Sequence, residues 1–252
     1  MKLFMQCITN DNLFIQDTIS FIVAGQSNAK GSGQNESQDL PSGLNADGSR
    51  TNAEFWETDN IMYPYQADMN TIDDFYNWGV EHRIAERLLT NNRCNNINLL
   101  KVTKGGTSIG DGGYWNITDG AGTDYLIAKA NLAETSHGLT WDYFIWIQGE
   151  NDATSESIAN AYEANLTGFV NHLLTNINPN MKFIIVKLAD WTAGSVPYLS
   201  TAQVAQDDVS ISLNKQLVIP DTLLSADVNA DNLHYTHIGI DKLATKIYNE
   251  VF

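Results

Sequence analysis

The sequence predicts an α/β protein whose parallel sheet is covered by helices on both faces. Three observations predict it. Apolar runs rich in branched and aromatic residues recur along the chain, stretches of helical period separate them, and each run stops abruptly in glycine and polar residues. Runs that are apolar throughout, rather than alternating, belong to strands buried on both sides.

Residues 1–17 alternate weakly, as an edge strand or short hairpin ahead of the core would. Phe21-Ile22-Val23-Ala24 is the first core strand, and Gly25-Gln26-Ser27-Asn28 breaks it at once. A long polar segment follows, residues 30–71, dense in Gly, Ser, Asn and Asp. A structureless loop of this length is usually a functional excursion, here expected on the substrate side. Its Phe55, Trp56, Tyr63 and Tyr65 suit a sugar-binding rim or, equally, pins that hold the loop to the body.

Tyr76 to Thr90 has Val80, Ile84 and Leu88 at helical spacing. Ile97 to Val102 is the second core strand, ending in Lys104-Gly105-Gly106. Tyr125 to Thr135 reads as a helix, and Tyr143 to Ile147 as the third strand, ending in Gln148-Gly149-Glu150-Asn151-Asp152. Ser157 to Leu174 places Ile158, Tyr162, Leu166, Phe169 and Leu173 on one helical face. Lys182 to Leu188 is the fourth strand. Ser200 to Leu217 is expected to be helical, Thr222 to Ala226 a short fifth strand, and Ile238 to Val251 the closing helix. With no linker or repeat, residues 1–252 read as one domain.

Lys and Arg number 14 against 30 Asp and Glu, a formal net charge of −16. So acidic a surface repels phosphate backbones and anionic lipid, which argues against nucleic-acid and membrane partners and favours a neutral substrate. Cys7 and Cys94 have no metal or disulfide-framework spacing. The first residues are too short and polar for a secretory leader, and no run reaches membrane-spanning length. A cytoplasmic enzyme, part of a larger secreted chain and a virion-borne enzyme are all compatible settings.

Parallel strands bring their carboxyl ends to one edge, so the polar clusters converge there. Acyl transfer by serine needs a nucleophile, a base, a group that orients the base, and donors for the oxyanion. Ser27 is the candidate nucleophile and His234 the base, with Asp231 three residues earlier as its orienter. The backbone N–H groups of Ser27 and of Gly105 or Gly106, and the amide of Gln148 or Asn151, are the candidate oxyanion donors. Simpler readings stand beside these: Ser27 could cap a helix, and the glycines could merely make a turn. Asp231, His234 and His237 could ligate a metal, but no second pair has comparable spacing, so none is expected.

The segments Gly25-Gln26-Ser27-Asn28, Gly105-Gly106-Thr107-Ser108-Ile109, Trp146-Ile147-Gln148-Gly149-Glu150-Asn151-Asp152 and Asp231-Asn232-Leu233-His234 resemble the conserved blocks of the SGNH/GDSL hydrolase superfamily. Within it they are similar to the sialate O-acetylesterase and acetylxylan esterase branch of carbohydrate esterases. The resemblance implies a flavodoxin-like α/β/α sandwich with a parallel sheet of about five strands. It also implies no cofactor, an acetylated carbohydrate as substrate, and Ser27, Asp231 and His234 as the triad. The longer string, Trp-x-Gln-Gly-Glu, favours Gln148 over Asn151 as the side-chain oxyanion donor. Gln26 and Glu150 are then supporting residues, with Glu150 a possible second partner of the histidine. Residues 30–71 have no assignable counterpart. The competing functions are a lipase- or thioesterase-like hydrolase and a binding module that has lost activity.

Overall fold

The computed structural model describes residues 16–32, 49–66, 78–190 and 195–252. A sheet of seven strands runs through the middle: β1 (Gln16–Gly25), β2 (Ser49–Trp56), β3 (Met62–Gln66), β4 (Cys94–Thr103), β5 (Tyr143–Ile147), β6 (Lys182–Val186) and β7 (Gln216–Val218). Their order is β3-β2-β4-β1-β5-β6-β7, with β3 alone antiparallel to its neighbour. Without the β2–β3 pair, the parallel strands have the doubly-wound order 2-1-3-4-5, which reverses direction beside β1 and opens a crevice at the strands' carboxyl ends.

Helix α1 (Ser27–Lys30) follows β1 directly. Then come α2 (Val80–Thr90), α3 (Ala121–His137), α4 (Glu156–Asn176), α5 (Leu199–Ser212) and α6 (His237–Val251). Two cores flank the sheet. Phe21, Val23, Leu99 and Ile145 meet α2 and α6 on one face, while Ile22, Ala24, Leu100, Phe144 and Trp146 meet α3, α4 and α5 on the other. This division is the period-2 alternation of strands whose two faces are both apolar.

The expected excursion over residues 30–71 is, where described, a β-hairpin that extends the sheet beyond β4. Phe55, Trp56 and Tyr65 are fully buried in it, so they pin the hairpin to the body and cannot form a sugar rim; only Tyr63 is exposed. Trp115 is buried as well. Burying aromatic area outweighs the polar composition around it. Gln16 and Asp17 belong to the central strand and not to an edge strand, while residues 1–15 lie outside the described residues.

The chain's last strand is also displaced. Helix α5 ends at Ser212, Asn214 takes the left-handed conformation at φ 49°, and the strand is β7. An asparagine tolerates that conformation and so stops the helix. The expected strand at Thr222 to Ala226 is a turn leading into a 3-10 turn at Ser225–Asp227, with Leu223 buried and Leu224 exposed.

Candidate active site

Gly25 and Gln26 turn the chain sharply out of β1. Gly25 has φ 143°, and a Cβ there would lie 2.0 Å from the carbonyl oxygen of Ile147, so only glycine passes so close to β5. Gln26, not Ser27, holds the N-cap position of α1, and no side-chain bond closes that cap. Ser27 is therefore the first helical residue, at the mouth of the crevice. It lines a cavity of about 390 Å³ with Gly105, Gly106, Asn151, Leu233 and His234.

The loop after β4 is fixed against this turn. Lys104 N–H donates to Gly25 O at 3.0 Å, and the Thr107 hydroxyl donates to Lys104 O at 2.7 Å. A Cβ on Gly105 would stand 3.6 Å from that of Ser27, and one on Gly106, at φ 67°, would meet open space.

Asp231 and His234 sit in a tight turn that Asn232 allows by adopting φ 54°. Asp231 Oδ2 lies 2.7 Å from His234 Nδ1, while Oδ1 accepts the N–H groups of Leu233 and His234 at 2.9 and 3.0 Å. Partial burial opposes ionisation of Asp231, but these three bonds outweigh it and hold its carboxyl below the usual range. With Nδ1 engaged by a carboxylate, the other ring nitrogen is left as a proton acceptor.

Asn28, quoted in the first sequence block without a role of its own, ties the site together. Its Nδ2 donates to Glu150 Oε1 at 2.7 Å and to Leu233 O at 3.1 Å, and its Oδ1 accepts Tyr235 N–H at 3.1 Å. One side chain thus joins the serine turn, the block after β5 and the histidine turn. Glu150 is fully buried; burial pushes its carboxyl up, and the Asn28 bond and the nearness of His234 pull it partly back.

Gln148 departs from expectation. Its amide is wholly buried: Nε2 donates to Thr107 O at 3.0 Å, to Gln26 Oε1 at 3.3 Å and to Asp152, while Oε1 accepts from the Tyr162 hydroxyl at 3.2 Å. It stands behind the cavity wall with its donors spent, whereas Asn151 lines the cavity. Gln26 supports that wall, since its Oε1 accepts the N–H groups of Gly149 and Asn151 at 3.4 and 3.3 Å.

Asp152 is the second residue that the sequence blocks contain but do not single out. Its carboxylate collects donors from Gln148, Ile109 and Gly110, and burial pushes its pKa up to about 6 against their pull. An asparagine there would set one N–H₂ against this ring of donors. We expect Asp152→Asn to destabilise the fold by about 1–3 kcal/mol, read as a lower urea midpoint with an unchanged slope. Among aromatic residues of the loops after the strands, Tyr114 packs against Gly122 and under the Lys104 ammonium, and Tyr198 is half-buried at the start of α5.

Residues 18–252 match the family described as carbohydrate esterase, sialic acid-specific acetylesterase. No curated protein matches the chain. Among solved structures, a protein from Arabidopsis thaliana is 18% identical, with a TM-score of 0.73 over 93% of this chain and 97% of that one. NanS is 15% identical, with a TM-score of 0.59 over 93% of this chain and 95% of that one. A variant of Axe2, an acetyl xylan esterase from Geobacillus stearothermophilus, is 14% identical, with a TM-score of 0.54 over 94% and 95%. At these identities the structural likeness shows the fold, that of SGNH hydrolases. The family match spans nearly the whole chain and all four site blocks, and by it the chain belongs to the carbohydrate esterase family of sialic acid-specific acetylesterases.

Proposed function

We propose that the cavity hydrolyses O-acetyl esters of a carbohydrate through an acyl-Ser27 intermediate. One observation carries the reading: Ser27 and an Asp231-oriented His234 open onto one cavity together with Gly105, Gly106 and Asn151. Ser27 Oγ attacks the acetyl carbonyl carbon as His234 Nε2 takes its proton. The tetrahedral oxyanion is met by the N–H groups of Ser27 and of Gly105 or Gly106, with the Asn151 amide as the side-chain donor. Collapse breaks the bond to the sugar oxygen, which leaves with the proton from His234. Water, deprotonated by the same imidazole, then releases acetate and regenerates Ser27.

Charge narrows the substrate. The described lining of the cavity holds no Lys or Arg. Lys104, next to Gly105, is the nearest cation in sequence to the lining, and its ammonium stands 4.6 Å from the Tyr114 ring centroid. With a net charge of −16 around it, such a site favours an uncharged acetylated sugar over one bearing a carboxylate. Acetate release is expected from p-nitrophenyl acetate and from neutral acetylated polysaccharides, and it should be insensitive to chelator. The methyl ester of an O-acetylated sialic acid should be cleaved faster than its free acid, and added salt should narrow the gap. Free acid preferred over methyl ester would reverse the charge argument. No release from any acyl substrate by folded protein would support the binding-module reading.

A further inference from the structure

We infer that the buried Lys101–Glu81 pair positions the nucleophile turn, an inference that rests on Ser27 being the nucleophile. Helix α1 has four residues, too few to hold itself in place. Its amino end carries Ser27, so whatever fixes its carboxyl end also fixes the serine. At that end Ser27 O accepts the N–H groups of Gly31 and Ser32 at 3.0 and 2.9 Å, leaving Lys30 O to find a partner elsewhere. Lys101 Nζ donates to it at 3.1 Å.

Lys101 reaches it from the middle of β4, opposite Val23 of β1, with its side chain wholly buried. The same ammonium lies 2.8 Å from Glu81 Oε1 in the first turn of α2, also wholly buried. Glu81 Oε1 in turn accepts Gly79 N–H at 2.8 Å and the Tyr65 hydroxyl at 3.4 Å. The pair therefore gathers β4, α2 and the hairpin strand β3 around the end of α1. Gly79 completes the cradle: a Cβ there would lie 2.6 Å from Ala29 O, in the helix itself.

A buried ion pair gains little over well-packed neutral residues, because desolvation offsets the attraction. Placement is a better account of this one. A cation at a helix carboxyl end answers both the dipole and an orphan carbonyl, and it does so here from a wholly buried side chain. Neither residue touches the cavity: Lys101 acts through the position of Ser27, and Glu81 through its hold on Lys101, which a glutamine amide oxygen can keep.

The test is burst kinetics with p-nitrophenyl acetate, which separates substrate binding from acylation. The double variant Lys101→Met with Glu81→Gln removes both charges together and avoids stranding one in the core. We expect it to fold, with the acylation rate constant down about tenfold to 100-fold and substrate affinity within about twofold of wild type. Glu81→Gln alone keeps the Lys101–Lys30 bond and should acylate close to the wild-type rate even where its melting temperature falls. Gly79→Ala, whose Cβ would stand 2.5 Å from Glu81 Oε2 and 2.6 Å from Ala29 O, presses on the pair and on α1 while removing neither charge, and should lower acylation in the same way. Folded double variant and Gly79→Ala proteins that both acylate at the wild-type rate would overturn the inference, as would losses that only follow the unfolded fraction in urea. Wild-type protein with no burst would instead remove the reading of Ser27 on which the inference stands.

Discussion

Ser27→Ala should lower kcat by about 10⁴- to 10⁶-fold, the range seen when a nucleophile that works as part of a unit is deleted. The same substitution should leave the melting temperature almost unchanged, and the two outcomes together discriminate between roles. A serine that caps a helix loses about 1 kcal/mol of stability on becoming alanine. In this chain Gln26 occupies the cap position, and the bonds that close α1 run through the carbonyl of Ser27, which alanine keeps. The hydroxyl is therefore free for chemistry, beside a glycine whose missing side chain leaves room for a substrate. Acetate release and a thermal melt on the same preparations settle it. A clear drop in melting temperature with residual turnover would return Ser27 to a structural role.

How much of this was legible in the chain depended on where each residue's partner lies. Three of the four site blocks could be read because each sits at a strand's carboxyl end, and parallel pairing brings such ends together; the fourth, Asp231 to His234, lies in a turn ahead of α6, well beyond the end of β7. Asp231 and His234 were readable as a pair because three residues in a turn put a carboxylate within reach of an imidazole, and the 2.7 Å contact is that local geometry. The alternation of elements gives a parallel sheet covered on both faces, while the flavodoxin-like arrangement was implied by the family resemblance alone.

What was not legible is long-range. Composition marks residues 49–66 as polar loop, yet Phe55 and Trp56 of β2 and Tyr65 of β3 turn out of that polarity into the core, and β2 pairs with β4 some forty residues later. Both Gln148 and Asn151 match a family pattern, and the longer string favours Gln148. Packing separates them, since Asp152 and Thr107 consume the Gln148 amide from two other segments. Asn28 has three partners more than 120 residues away, so its sequence neighbourhood gives no hint of its role. The Lys101–Glu81 pair lies inside a strand and a helix that the apolar pattern describes as ordinary core.

The second large effect concerns how His234 is oriented, and here the two carboxylates near it make different predictions. His234→Ala removes the base and should lower kcat/KM by about 10⁴-fold or more. Asp231→Asn keeps the backbone bonds to Leu233 and His234 through its carbonyl oxygen, but it turns an N–H₂ toward His234 Nδ1. That favours the tautomer with the proton on Nε2, the wrong one for accepting a proton from Ser27. Were Asp231 the sole anion acting on the ring, its loss should approach that of the histidine. Glu150 changes the expectation: it is buried on the cavity wall, held at Oε1 by Asn28, and close enough to His234 for their charges to interact. Ionised in that dry position, it would stabilise the imidazolium formed in the proposed attack by Ser27. Asp231→Asn should therefore cost about 10²- to 10³-fold, less than His234→Ala. Glu150→Gln added to it should cost more than it does in the wild-type background if the two carboxylates substitute for each other. A double-mutant cycle on kcat/KM measures this directly. Losses in Asp231→Asn equal to those in His234→Ala, with no further effect of Glu150→Gln, would leave Glu150 only the task of anchoring Asn28. In that case the chemistry rests on Asp231 alone.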